Sequence, residues 1–274
     1  MTKLGTRKVI ESAVKPTARP RVAVHKFSSC DGCQLALLNL GEPLLVLTQL
    51  IDIVHFAEAG PLDDNTKVDI AIIEGSVSTF HDVERLKKIR ENSTYLLTIG
   101  ACATSGGIQA LRNMANSREW IADIYANPAV IESLDNSTPI KDHVNVDLEL
   151  WGCPVSQRQI LIALRALLFG VMPAEEYDKV CMECKRQNMV CVMVTKQEPC
   201  MGPVTRTGCG ALCPSVGRDC YGCYGPAENA NTQAMANRLQ GLGLLTDEVV
   251  KRFLFIHSEA GAFHQQGTLS QEMD

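Results

Sequence analysis

Twelve cysteines constrain this chain more than any other feature, because they fall into three sets of four and the first set is widely scattered. That set is Cys30-x2-Cys33-x68-Cys102-x50-Cys153. Cys30 and Cys33 sit on the turn Ser28-Ser29-Cys30-Asp31-Gly32-Cys33-Gln34, after an apolar run and before a helical one. Cys102 lies in Gly100-Ala101-Cys102-Ala103-Thr104-Ser105-Gly106-Gly107, and Cys153 in Leu150-Trp151-Gly152-Cys153-Pro154. Each follows a stretch that reads as a strand and precedes one that reads as a helix. In a parallel α/β sheet the carboxyl ends of the strands share one edge, where ligands bind. Three separated stretches can therefore bring four thiolates to one point. The second set is Cys181-x2-Cys184-x6-Cys191-x8-Cys200 and the third is Cys209-x3-Cys213-x6-Cys220-x2-Cys223.

The rest of the pattern fits such a sheet. Apolar runs predict strands at 21–27, 53–57, 68–73, 95–99 and 146–150, and the run at 68–73 suits burial on both faces. Helical spacing predicts helices at 34–50, with Pro43 as a kink or break, and at 81–92, 106–114 and 157–169. Residues 120–137 read as helix then loop. This alternation predicts an α/β, doubly wound parallel sheet. Residues 174–226 are dense in Cys, Gly and Pro and show little periodicity, so metal centres are expected to hold them together. Two short helices are predicted at 229–239 and 246–255, and the last dozen residues read as frayed. The resulting division is an N-terminal arm at 1–20, a sheet domain at 21–172 and a cysteine-rich, mostly irregular C-terminal domain at 173–274.

Composition narrows the function. The apolar fraction is 46% and the charged fraction 21%, as in ordinary globular proteins, and the net charge of −5 argues against nucleic acid as the main partner. No apolar run reaches the roughly 18 residues of a membrane helix. The basic first twenty residues lack the apolar core and cleavage site of an export signal, so a cytoplasmic protein is expected. Clustered cysteines in a reducing compartment are more often metal ligands than disulfides. Zinc and iron–sulfur clusters both accept four cysteines. Three features favour iron–sulfur over structural zinc. The first set is assembled from distant loops on a rigid sheet. Cys153 and Cys213 are followed by Pro, and Cys200 by Met-Gly-Pro. Several sites in one chain suggest an electron relay.

At these residues, from about 22 to 226, the sequence resembles the small, electron-transferring subunit of nickel–iron hydrogenases. The resemblance is carried by Ser29-Cys30-Asp31-Gly32-Cys33-Gln34, Ile73-Glu74-Gly75-Ser76, Gly100-Ala101-Cys102 with its Gly-Gly ending, and Gly152-Cys153-Pro154. It implies a flavodoxin-like fold for the sheet domain and a proximal [4Fe–4S] cluster on Cys30, Cys33, Cys102 and Cys153. That cluster would face a large subunit holding the nickel–iron site. It implies a distal cluster on Cys181, Cys184, Cys191 and Cys200, Cys181 standing where exported relatives have histidine. It also implies a medial cluster on Cys209, Cys213, Cys220 and Cys223. Many relatives have proline at the place of Cys213 and a [3Fe–4S] centre, so the fourth thiol here implies a third [4Fe–4S] cluster. These departures imply a cytoplasmic hydrogenase passing electrons to NAD(P) through flavin- and iron–sulfur-bearing diaphorase-type subunits. Coenzyme F420 or a heterodisulfide reductase are alternative acceptors. A complex I-like electron-transfer subunit shares the sheet, but that relative typically has adjacent cysteines where this chain separates Cys30 from Cys33.

Glu74, just past a buried strand, has two readings: a proton-carrying or interface residue near the proximal cluster, or a plain helix-terminal acid. The six histidines show no ligand spacing, and His264 reads as exposed. Lys185 and Arg186 read as a solvated charge pair. No phosphate loop or Gly-x-Gly-x-x-Gly turn is present, so a bound nucleotide is not expected. A zinc-stapled interaction module is the reading from a different class.

Overall fold

The structure, a computed structural model, describes residues 19–63, 65–174 and 176–272; most of the arm expected at 1–20 lies outside them. Five strands form one sheet among the described residues: β1 (Arg21–Lys26), β2 (Asp52–Phe56), β3 (Val68–Glu74), β4 (Ser93–Ile99) and β5 (Leu148–Leu150). All neighbours are parallel and the order is β2-β1-β3-β4-β5, that of flavodoxin-like sheets. Side chains alternate between the faces. Val22, Val24, Ile70, Ile72, Leu97 and Ile99 belong to one core, and Ala23, Ala71, Ile73 and Leu96 to another. Both faces are thus covered, which is why β3 needs its near-continuous apolar run.

The first core is closed by α1 (Gly32–Leu38), α2 (Glu42–Leu50) and α6 (Gln157–Leu168), the second by α3 (Phe80–Glu91). The helix predicted at 34–50 is in fact two, meeting at 85°. Gly41, at φ 67°, makes the turn, and Pro43 lies in the first turn of α2, where its missing N–H costs nothing. Pro43 therefore starts a helix instead of kinking one. Helix α3 opens with a capping box, Thr79 accepting from Asp82 N and the Asp82 carboxylate from Thr79 N; such a cap contributes about 1 kcal/mol. After β4, the chain enters α4 (Gly100–Ser105) directly, so Cys102 lies within a helix instead of just before one. The stretch Gly107–Met114 is 3₁₀, and α5 (Ser117–Ile124) is followed by loop as expected.

The C-terminal region contains α7 (Val180–Arg186), α8 (Val192–Thr195), α9 (Leu212–Ser215), α10 (Thr232–Gly241), α11 (Thr246–His257) and α12 (Gly261–Gln271). The expectation of a frayed end is wrong. Helix α12 buries Phe263, Gln266, Gly267 and Ser270, and Phe263 meets Phe253 edge-on at 5.5 Å. Its spacing was obscured because the buried face itself carries Gln266, Gly267 and Ser270. These aromatics join Val180, Met201, Val204, Met235 and Leu239 in a third core, so α10–α12 cover the irregular cysteine loops. Helix α11 also packs against α4 and the 3₁₀ stretch behind it. Among the described residues no single helix is long and apolar enough to cross a membrane.

Candidate metal centres

One register line crosses the carboxyl edge of the sheet. Lys26 pairs with Glu74, Glu74 with Ile99, and Ile99 with Leu150. The loops carrying Cys30, Cys33, Cys102 and Cys153 all leave from this line. Backbone bonds hold them together beyond the sheet: Phe27 N to Glu74 O at 2.8 Å, Ser76 N to Ser28 O at 2.9 Å, and Ala101 N to Gly152 O at 2.7 Å. Asp31 adopts φ 64° between the two cysteines, and Lys26 Nζ ties it back at 2.8 Å while also reaching Glu58 at 2.7 Å. Glu74 is buried. Its Oε1 accepts from Cys33 N at 2.9 Å and its Oε2 from Gln34 N at 3.1 Å. It therefore caps α1 at the cysteine turn, as the helix-terminal reading expected.

The four sulfurs influence one another. Burial first, then Glu74, Cys102 and Cys153, push the Cys33 thiol far up. Burial, then Cys153 and Cys30, push Cys102 up to about 12, and burial with Cys30 raises Cys153. A Cβ at Gly100 would stand 2.3 Å from Cys33 Sγ, and one at Gly107 2.7 Å from Cys102 Sγ. The space beside the sulfurs is kept by residues without side chains.

The second and third sets behave alike. Cys184 is pushed up to about 11 by burial, then by Cys181, Cys200 and Cys191. A Cβ at Gly202 would lie 3.4 Å from both Cys181 Sγ and Cys200 Sγ. Cys223 is pushed up to about 12 by burial, then by Cys209, Cys153 and Cys213, against the opposing pull of the Cys153 backbone amide. Cys220 N donates to Cys200 Sγ at 3.2 Å. The third set therefore feels the first through Cys153 and meets the second through Cys200. Cys30 and Cys191, in the two outer sets, are exposed.

None of the twelve cysteines is in a disulfide. Among the described residues no three His, Cys, Asp or Glu close on one point in the manner of a single-ion site. Most of these thiols are raised by burial and by one another, and a cationic iron–sulfur core would turn such thiols into thiolates.

The family described as "NADH ubiquinone oxidoreductase, 20 Kd subunit" matches residues 30–167. A fuller match comes from sulfhydrogenase 2 subunit delta of Pyrococcus furiosus, 37% identical over 85% of this chain and 97% of that one. The chain belongs to the small-subunit family of nickel–iron hydrogenases. A subunit of the F420-non-reducing hydrogenase of Methanocaldococcus jannaschii is 30% identical over 78% of this chain and 84% of that one. Among solved structures, an NAD⁺-reducing [NiFe]-hydrogenase chain superposes with a TM-score of 0.55 at 27% identity, covering 58% of this chain and 97% of that one. The actinobacterial-type NiFe-hydrogenase of Ralstonia eutropha H16 shares the fold over 93% of this chain, at TM-score 0.57 and 15% identity. Small subunits of this family belong to oxidoreductases acting on hydrogen, with the nickel–iron site on the large subunit.

In this small subunit several residues near the thiols had no sequence signal. His257 is fully buried, with Nδ1 2.6 Å from Ser105 Oγ and Nε2 2.9 Å from the Cys223 carbonyl. It joins α4, which carries Cys102, to the loop of the third set. The Tyr224 ring fills the space where Cβ atoms at Gly152 and Gly208 would lie, 2.8 and 2.9 Å from ring carbons. Glu183, inside Cys181-Met182-Glu183-Cys184, is buried and bonded to the Cys209 loop. A carboxylate within a cysteine motif was its only hint. The other readings agree with expectation: His264 is exposed, and Arg186 pairs with Asp178 on the surface.

Proposed function

We propose that this chain is the electron-relaying small subunit of a cytoplasmic [NiFe] hydrogenase and holds three [4Fe–4S] clusters, in a sheet domain at 21–172 and a C-terminal domain at 173–274. The proximal centre is assigned to Cys30, Cys33, Cys102 and Cys153. The medial is assigned to Cys209, Cys213, Cys220 and Cys223, and the distal to Cys181, Cys184, Cys191 and Cys200. Bound there, the clusters would carry single electrons between the hydrogen-activating site of the large subunit and an acceptor-side subunit. The observation that carries this reading is the nearness of the three sets: Cys153 acts electrostatically on Cys223, and the Cys220 amide donates to Cys200 Sγ at 3.2 Å. Glu74 fixes the Cys33 amide and so orients the proximal turn; its place at the sheet edge also suits an interface role.

The acceptor-side partner is assigned to a flavin- and iron–sulfur-bearing subunit serving NAD(P). A second reading, an acceptor of the F420-non-reducing or heterodisulfide kind, draws on coverage. The NAD-reducing HoxS subunit delta of Cupriavidus necator matches only 55% of this chain, whereas the sulfhydrogenase and F420-non-reducing subunits match 78–85%. Anaerobic purification with neighbouring subunits tests both. About twelve irons per small subunit and a nickel-bearing partner are expected; zinc in place of iron would overturn the relay, and the co-purifying subunits decide the acceptor.

A further inference from the structure

Glu183 belongs by sequence to the second set, yet its side chain enters the third. Oε1 accepts from Gly208 N and Gly210 N, both at 3.1 Å, and Oε2 accepts from Ala211 N at 3.0 Å. Cys209 Sγ stands 3.7 Å from Oε2. Gly208 and Gly210, at φ 132° and 68°, let the loop bend around the carboxylate. Cluster potentials depend on local charge and on hydrogen bonds to the sulfurs. An N–H donated to sulfur stabilises the more negative, reduced state, and a nearby carboxylate opposes it. At Cys209 the Leu212 and Ala211 amides favour the charged sulfur, and the Ala211 amide donates to Glu183 Oε2. The Gly208 and Gly210 amides are turned onto Glu183 instead.

We propose that Glu183 is a positioning residue for the medial centre: its carboxylate shapes the Cys209 loop, keeps two amides off the sulfurs, and holds that centre at a lower potential. The inference rests on the assignment of Cys209, Cys213, Cys220 and Cys223 to one [4Fe–4S] centre. It also places one carboxylate, anchored between two distal ligands, against the neighbouring medial ligand.

The test is the Glu183→Gln variant of the whole complex, titrated potentiometrically under anaerobic conditions and read by EPR. Glutamine keeps an oxygen for the two glycine amides but turns its NH₂ toward Cys209 Sγ and removes the charge. Iron content should be unchanged. At fixed solution potential the reduced-to-oxidised ratio of the medial centre should rise about tenfold, about 59 mV for a one-electron couple, with the proximal centre unmoved. An unchanged or lowered medial midpoint with iron retained overturns the inference, as does a shift confined to the distal centre. If the variant loses about four irons, loss of the medial signal alone supports the positioning role. Loss of the distal signal instead overturns it. A wild-type complex lacking a medial four-iron signal removes the parent assignment, and this inference with it.

Discussion

Cys30, Cys33, Cys102 and Cys153 hang from the ends of three parallel strands, whereas the eight cysteines from Cys181 to Cys223 sit on helices of seven residues or fewer and the turns around them. In the first region, backbone pairing aligns the loops before any metal is considered, and apolar cores lie on both faces of the sheet. In the second, side chains and late helices gather the loops: Glu183 holds three amides, and α10–α12 supply most of the core. A regular frame can present ligands that are far apart in sequence. Irregular loops need ligands close in sequence, and the centres they bind become part of what holds them. The spacing of the first set against the other two reflects this difference.

The largest expected effect breaks the two regions apart. Removing iron with a chelator under reducing, anaerobic conditions should leave 21–170 protease-resistant and speed cleavage at Lys185, Arg186 and Lys196 by about tenfold or more, on the principle that open states set proteolysis. Equal protection of both regions, read by mass spectrometry, would remove the contrast.

Single ligands sharpen it. Cys102→Ser should lose about four irons and abolish hydrogen-linked dye reduction through the C-terminal region, with nickel retained by the partner and the thermal midpoint little changed. Cys220→Ser should lose a similar amount of iron but also lower the thermal midpoint, because Cys220 is buried in the C-terminal core. Wild-type turnover in Cys102→Ser would end the relay.

His257 joins the regions, so its replacement tests how strongly they are coupled. His257→Phe leaves the Cys223 carbonyl unpaired and the Ser105 hydroxyl with only its bond to the Ala101 carbonyl, and should destabilise the chain by about 1–3 kcal/mol in urea unfolding. A change within experimental error would mean the regions stand independently.

The smallest effect is confined to the sheet side. Burial holds His143 below its ordinary pKa of 6.5, while Thr138 Oγ1 lies 2.7 Å from Nε2. The folded state thus takes up its proton later than the unfolded chain. The His143 contribution is full above the unfolded value and declines as pH falls toward the folded one. Urea midpoints at pH 7.5 and 5.5 should therefore differ slightly less in His143→Asn than in wild type; an equal or larger difference would contradict this.

The strands were legible because burial on both faces demands apolar runs, as at 68–74, and the helices at 157–168 and 80–91 because their inner faces repeat at helical spacing. The break at Gly41 was less so: one glycine at positive φ redirects a helix without changing its apolar pattern. Helix α12 went unread because Gly261, Gly267 and its glutamines weaken the helical signal, and packing against α10 and α11 stabilises it.

Sequence by itself determined which residues are thiols, how they are spaced, and that an α/β sheet carries the first of them, since these follow from local spacing and periodicity. The tertiary structure alone decided that Cys153 comes near enough to act on Cys223, that the Cys220 amide meets Cys200, and that Glu183 turns from one set toward the next. Those contacts join segments whose separation no local pattern encodes. They exist because the cores bring the loops together, leaving each buried amide, carboxylate and sulfur to find its partner there.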